Sequence, residues 1–167
     1  MMHRRMVIVC LSLLLLGLLP GCSGNTFGVK EVAYDEPSDF QGDKVRIYVF
    51  REDSAFGGAR KFAIIDNDTV EGVLTPGTFT HFTVDSGENE VVAYMSPSPL
   101  THLRVSGRKG ETVYLFCHMG YASGIYIDEI DEARAKSLMQ TFKYTEIDVK
   151  GAKAKMDYKQ YYDTLFR

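Results

Sequence analysis

The chain has 167 residues, of which 45% are hydrophobic, 25% charged and 12% aromatic, with no Trp. That length points to one domain, and the apolar content supports a real core and excludes a disordered chain. Lys and Arg number 19 against 22 Asp and Glu, formally −3, so there is no global basic footprint for nucleic acid.

The chain opens on a short basic stretch, His3-Arg4-Arg5, followed by an apolar run, Val7–Leu19, broken only by Ser12 and Gly17. Spanning a bilayer takes about 20 apolar residues, so the run is short, and Pro20-Gly21 ends it. Residues 1–21 have the layout of a secretory signal peptide rather than a transmembrane helix. Leu19-Pro20-Gly21-Cys22 resembles the bacterial lipobox. The resemblance implies a lipid thioether on Cys22, cleavage before it and acylation of the new amino terminus. Pro20 departs from the small or β-branched residue usual there. Several acyl chains on one residue satisfy the need for more than one chain in stable anchoring. Ser23 follows, with no Asp to favour inner-membrane retention. The expected location is therefore the bacterial cell envelope, lipid-anchored at the outer membrane. Of the three cysteines, Cys10 leaves with the signal peptide and Cys22 is lipidated. Cys117 alone remains, so an intrachain disulfide is excluded and the domain holds together by burial. Losing Arg4 and Arg5 makes the mature chain two charges more negative than −3.

Residues 22–43 read as the lipidated Cys and a tether, rich in Gly, Ser, Asp and Pro, with Val29, Val32 and Tyr34 packing locally. From Lys44 the signals are β. Val45–Phe50 is β-branched and aromatic, and Phe62–Ile65 is a second strand. Asp66-Asn-Asp-Thr69 reads as a hairpin turn before a strand over Val70–Leu74. Pro76-Gly77 is another turn, and Thr78–Val84 alternates. Asp85–Asn89 turns into a strand over Glu90–Met95, which Pro97 and Pro99 stop. Further strands are Leu100–Val105, Thr112–Met119 and Tyr121–Ile127. Turns at this spacing with no helix between predict a mainly β domain over 44–145. The expected fold is an antiparallel β-sandwich of about seven to nine short strands with one or two C-terminal helices.

Asp128 or Asp131 can cap a helix running to about Thr141. Residues 146–167 read as a C-terminal amphipathic helix. Over Lys153–Phe166 its Tyr158, Tyr161, Tyr162, Leu165 and Phe166 recur on one helical face. Tyr158, Tyr161, Tyr162 and Phe166 are a candidate interaction surface for a partner. The lysines beside them, Lys150, Lys153, Lys155 and Lys159, could meet anionic lipid, or simply face solvent while the aromatic face packs on its own domain.

The block from Val45 to Phe142 resembles bacterial lipoproteins carrying domain of unknown function 2846. Val45-Arg-Ile-Tyr-Val-Phe-Arg51 looks like that family's opening strand, and Ile64–Leu74 like its hairpin with an Asp-rich turn. Phe79–Asn89 looks like its strand, turn and return strand, with Asp85-Ser86-Gly87 replacing the usual Pro-Gly and Asn89 where His is common. Gly110-Glu-Thr-Val-Tyr-Leu-Phe116 looks like its Gly-Lys-x-Tyr-Tyr strand. The resemblance implies a small β-sandwich on a lipid anchor and no particular reaction.

Catalytic chemistry finds little support. Asp66-Asn-Asp-Thr-Val70 superficially matches an aspartyl-phosphate signature, but that chemistry needs a parallel α/β scaffold, and here a strand follows at hairpin distance. As a Ca²⁺ loop it carries Glu71 where Gly is required. Cys117 and His118 are adjacent on a strand, so their side chains face opposite ways and cannot share an ion or act as a pair. Cys117 belongs with Val113 and Leu115 in a core, and His118 with Tyr114 and Phe116. A site joining His81 and His118 would need tertiary convergence. Arg51, Arg60 and Lys61 flank the Gly-rich Ala55–Gly58 loop, which reads mostly as a flexible turn. No metal, cofactor or catalytic residue is assigned. The expected function is a non-catalytic, lipid-anchored interaction or accessory module of the envelope. The alternatives are a small-ligand or lipid binder, motivated by ten Tyr and ten Phe, and an envelope hydrolase.

Overall fold

A computed structural model describes residues 28–37, 43–55, 58, 60–67, 69–95, 100–120 and 124–148. Ten strands and one helix follow in order: β1 (Gly28–Val32), β2 (Lys44–Arg51), β3 (Phe62–Asp66), β4 (Thr69–Leu74), β5 (Thr78–Asp85), β6 (Gly87–Tyr94), β7 (Thr101–Gly107), β8 (Thr112–Met119), β9 (Ile125–Glu129), α1 (Glu132–Met139) and β10 (Lys143–Asp148). They form a six-stranded sheet, β1-β10-β5-β2-β8-β9, and a four-stranded sheet, β4-β3-β6-β7. This is the sandwich with a C-terminal helix that the alternation and turn spacing imply.

Two pairings depart from an all-antiparallel scheme: β2 runs parallel to β8, and β5 parallel to β10. Turn spacing reveals hairpins, but these partners lie far apart in sequence. The strand count also exceeds the expected range, because the flanking segments join the sheet. β1, within the stretch read as a tether, pairs residue for residue with β10 from Gly28↔Asp148 to Val32↔Tyr144. β10 in turn crosses the boundary placed at residue 146. The helix expected over residues 146–167 lies outside the described residues beyond Asp148.

β2 is the centre of the larger sheet. Seven of its eight residues are buried, because β5 and β8 flank it and both its faces are covered. Hence Ile47–Phe50 reads as a continuous apolar run rather than an alternation. Val45, Ile47 and Val49 point between the sheets and meet Phe62, Ile64 and Leu74 from the other layer. Gly107 ends β7 where a Cβ would lie 2.5 Å from Val45 Cγ1, so only glycine lets the layers close there. The β3–β4 hairpin turns through Asn67, whose φ of 43° is left-handed and tolerated by Asn. The register then shifts between Ile64 and Ile65, and Glu71 bulges out of the ladder.

Candidate functional site

The outer face of the six-stranded sheet is aromatic. Register places His81, Tyr48 and Tyr114 directly opposite one another across β5, β2 and β8. Their rings stack at centroid separations of 5.3 and 5.5 Å. The next row runs Tyr144, Phe79, Phe50, Phe116 and Asp128 across β10, β5, β2, β8 and β9. Tyr34 closes over Phe79 and Tyr144 at 5.2 Å from each, and its hydroxyl hydrogen-bonds that of Tyr48 at 2.7 Å. Ile130 and Ala135, with Leu138 and Met139 of α1, cover the middle. The result is a second core, outside the sandwich interior. The aromatic residues that suggested a ligand-binding interior are here largely consumed in packing on one another.

That second core holds its titratable groups neutral. His81 Nδ1 is hydrogen-bonded to the Tyr144 hydroxyl at 2.9 Å. Burial, with the nearby Arg46 cation, lowers the imidazole to about 4. Burial raises Tyr144 to about 12, and raises Tyr34 as well.

At the β9 edge the covering ends. His118 and Tyr126 are cross-strand partners whose rings stack at 5.5 Å. His118 Nε2 lies 2.9 Å from Asp128 Oδ2, and its ring also stacks on Phe116 at 6.3 Å. The Arg134 guanidinium sits 4.7 Å above the Phe116 ring. Tyr126 is 51% exposed, the one large hydrophobic side chain so open among the described residues. Its ring nevertheless has a fixed seat. A Cβ on Gly120 would come within 2.0 Å of Tyr126 Cε2, and Gly120 N donates to Gly124 O at 3.0 Å. Next to this edge a cavity of about 390 Å³ is lined by Thr112, Tyr114, Glu129, Ile130, Asp131 and Glu132. It is a polar surface cleft, and Asp131 already accepts from Arg134 N as the helix cap.

The residues weighed for chemistry are dispersed. Cys117 is fully buried between the sheets, as strand parity implies, and burial pushes its thiol up to about 12. His118 faces the opposite side. His81 lies in the covered part of the aromatic face and His118 at its open edge. His102 meets Glu90 at 3.3 Å on the other sheet. Among the described residues no three His, Cys, Asp or Glu side chains are grouped to hold a metal ion. Asp66 ends β3 in the hairpin, buried, with Oδ2 accepting from Asn67 and Oδ1 buried without a hydrogen-bond partner among the described residues. Burial, then Glu71, raises its carboxyl. Arg51, read with a loop cluster, is 2% exposed: it donates to the Arg60 and Leu74 carbonyls and covers the Phe62 ring at 3.8 Å. Cys22 and the Tyr158, Tyr161, Tyr162 and Phe166 face lie outside the described residues.

The Tyr126 edge was missed in sequence. Its only signals are the Ile125-Tyr-Ile-Asp128 alternation and the flanking Gly120 and Gly124. Among the described residues no helix is long and apolar enough to cross a membrane. Compared with known proteins, the chain matches no family model, no curated protein and no solved structure.

Proposed function

We propose that this protein is a lipid-anchored lipoprotein of the bacterial envelope, held through Cys22 at the outer membrane. Its sandwich works as a non-catalytic interaction or accessory module. The observation that carries the reading is the contrast on the outer face. Aromatic rings are packed under α1 and Tyr34 except at the β9 edge, where Tyr126 stacks on His118, lies against Gly120 and is half exposed. An exposed aromatic fixed in place is a favoured anchor for a protein partner. The buried titratable groups support the non-catalytic reading. A nucleophile is activated by lowering its pKa or by a basic neighbour, whereas burial pushes the Cys117 thiol and the Tyr144 phenol upwards and the His81 imidazole downwards. Each is thereby held in its uncharged form.

The test is to cross-link the lipidated full-length protein in its native cells, purify it through its lipid anchor and identify what accompanies it. A stoichiometric envelope protein is the expected result. Recovery of only lipid or a small molecule would replace this reading with that of a binder.

A further inference from the structure

We infer that the apolar outer face of the four-stranded sheet is the seat of the chain's own C-terminal segment, residues 149–167, through the side that carries Tyr158, Tyr161, Tyr162 and Phe166. This rests on the lipoprotein reading in that residues 1–21 are gone from the mature chain, and it gives the domain a third layer.

Two rows of three side chains make the face. Val73, Ala63 and Tyr94 are register partners across β4, β3 and β6, and so are Val70, Ile65 and Val92 in the next row. Phe62, Ile64, Val91 and Ala93 alternate with them and point into the space between the sheets. The two rows therefore face away from the sandwich interior, where an antiparallel sheet commonly meets water. Here they are buried: Ile65 is 0% exposed and Val73 1%. Among the described residues, the hydrophobic side chains that pack on the rows from outside are Val29, Leu100 and Ile147. Leu100 lies just before β7. Val29 and Ile147 are paired on β1 and β10, beside β4, where Thr145 Oγ1 donates to Val73 O at 3.3 Å. Such margins leave the middle of each row, Ala63 and Ile65, to be covered from above. The other sheet's outer face has α1 and Tyr34 for this purpose.

The chain itself supplies a cover. Ile147 belongs to the cluster, and β10 ends one residue later at Asp148. Residues 149–167 therefore start from the rim of this face. They are the longest stretch of the mature chain outside the described residues, and at helical spacing Tyr158, Tyr161, Tyr162, Leu165 and Phe166 share a side. A helix over Lys153–Phe166 would run about 21 Å, against roughly 14 Å across four strands. Gly28 and Asp148 are register partners, so the N-terminal side leaves the domain at the same rim. What remains there after processing, Cys22–Phe27, has one large apolar side chain, Phe27, and carries the anchor. One ring cannot roof both rows. The four C-terminal aromatic residues are thereby withdrawn from the surfaces open to a partner, and Tyr126 is left as the exposed anchor.

The proposal is tested on the lipidated mature protein in detergent, with a photo-cross-linker replacing Tyr162. Light should join position 162 to the peptide carrying Ala63 and Ile65, or to the one carrying Val92 and Tyr94, within a single copy of the chain. Joining to a second copy, to another protein or to α1 would overturn it. Methyl NMR on the otherwise native chain gives a second measurement. Tyr162→Ser with Phe166→Ser should shift the methyl resonances of Ile65, Val70, Val73 and Val92 and leave those of Ile47 and Val49, inside the sandwich, in place. The same variant should bind more of a dye that reports exposed apolar surface. Unmoved methyls on the outer face would overturn the proposal whether or not a cross-link forms. The intact mass reports the anchor separately. A chain that keeps residues 1–21 fails the lipoprotein reading, while the cross-link from position 162 still decides where the C-terminal segment lies.

Discussion

His81 lies between Tyr48 and Tyr144 with its imidazole lowered from 6.5 to about 4. The folded protein therefore keeps it neutral over a pH range in which the unfolded chain takes up a proton. Its contribution to stability is complete above pH 6.5 and is lost as pH falls towards 4. His81→Gln should flatten the decline of urea midpoints across that window while lowering the midpoint at pH 7. Asp66 carries the opposite sign. Its carboxyl is raised from 3.8 by burial, so the folded state disfavours the charge and stability falls as pH rises above 3.8. Asp66→Asn removes the charge and can still accept from Asn67. It should stabilise the protein at pH 7 by up to about 1 kcal/mol, with the gain vanishing at pH 3, as thermal melts at the two pH values would reveal. A catalytic Asp66 would instead show a loss of cellular function with folding intact.

α1 is eight residues long, too short to persist alone, and stands because Ala135 is buried on the aromatic rows and Asp131 caps its start. Asp131 accepts from Arg134 N at 2.7 Å. Asp131→Ala should cost about 1 kcal/mol in chemical denaturation, and Asp131→Ser should restore most of it. This element was legible in the sequence because its cap and its end are local signals. So were β2, β5 and β8, whose apolar patterns declare which faces are buried, and the opposite facing of Cys117 and His118. β1 and β10 were not. Gly28–Val32 and Lys143–Asp148 mix charges with apolar residues, and neither pairs with a neighbour in sequence. Their strand character comes from each other and from β5. The Tyr126 edge was hidden for a related reason: it depends on the His118↔Tyr126 register and on what Gly120 leaves open, both tertiary facts.

At the scale of the whole molecule, the six-stranded sheet has two distant edges. Gly28 and Asp148 are register partners, so the two ends of the described domain meet on β1 and β10. β9 closes the other side, five strand spacings from β1, or roughly 24 Å. Gly28 follows Cys22 by six positions, at most about 21 Å of extended chain. Anchored at Cys22, the domain would keep the Gly28 end of β1 within about 21 Å of lipid. Cys22→Ser should abolish labelling by radioactive palmitate and move the protein from the membrane to the soluble fraction without lowering its melting temperature, because β1 pairs through Gly28–Val32 rather than through the anchor.

The five-residue ladder between β1 and β10 then acquires a mechanical meaning. A partner pulling at the β9 edge against lipids that grip Cys22 would load that ladder from its Gly28 end. The bonds would open in succession, as in a zipper, rather than together as in shear. β1 would come away first and leave the sandwich and its aromatic layer in place. Freed from β10, those five residues would lengthen the leash between bilayer and domain by about 17 Å. Under load, reach would be gained before the fold was lost.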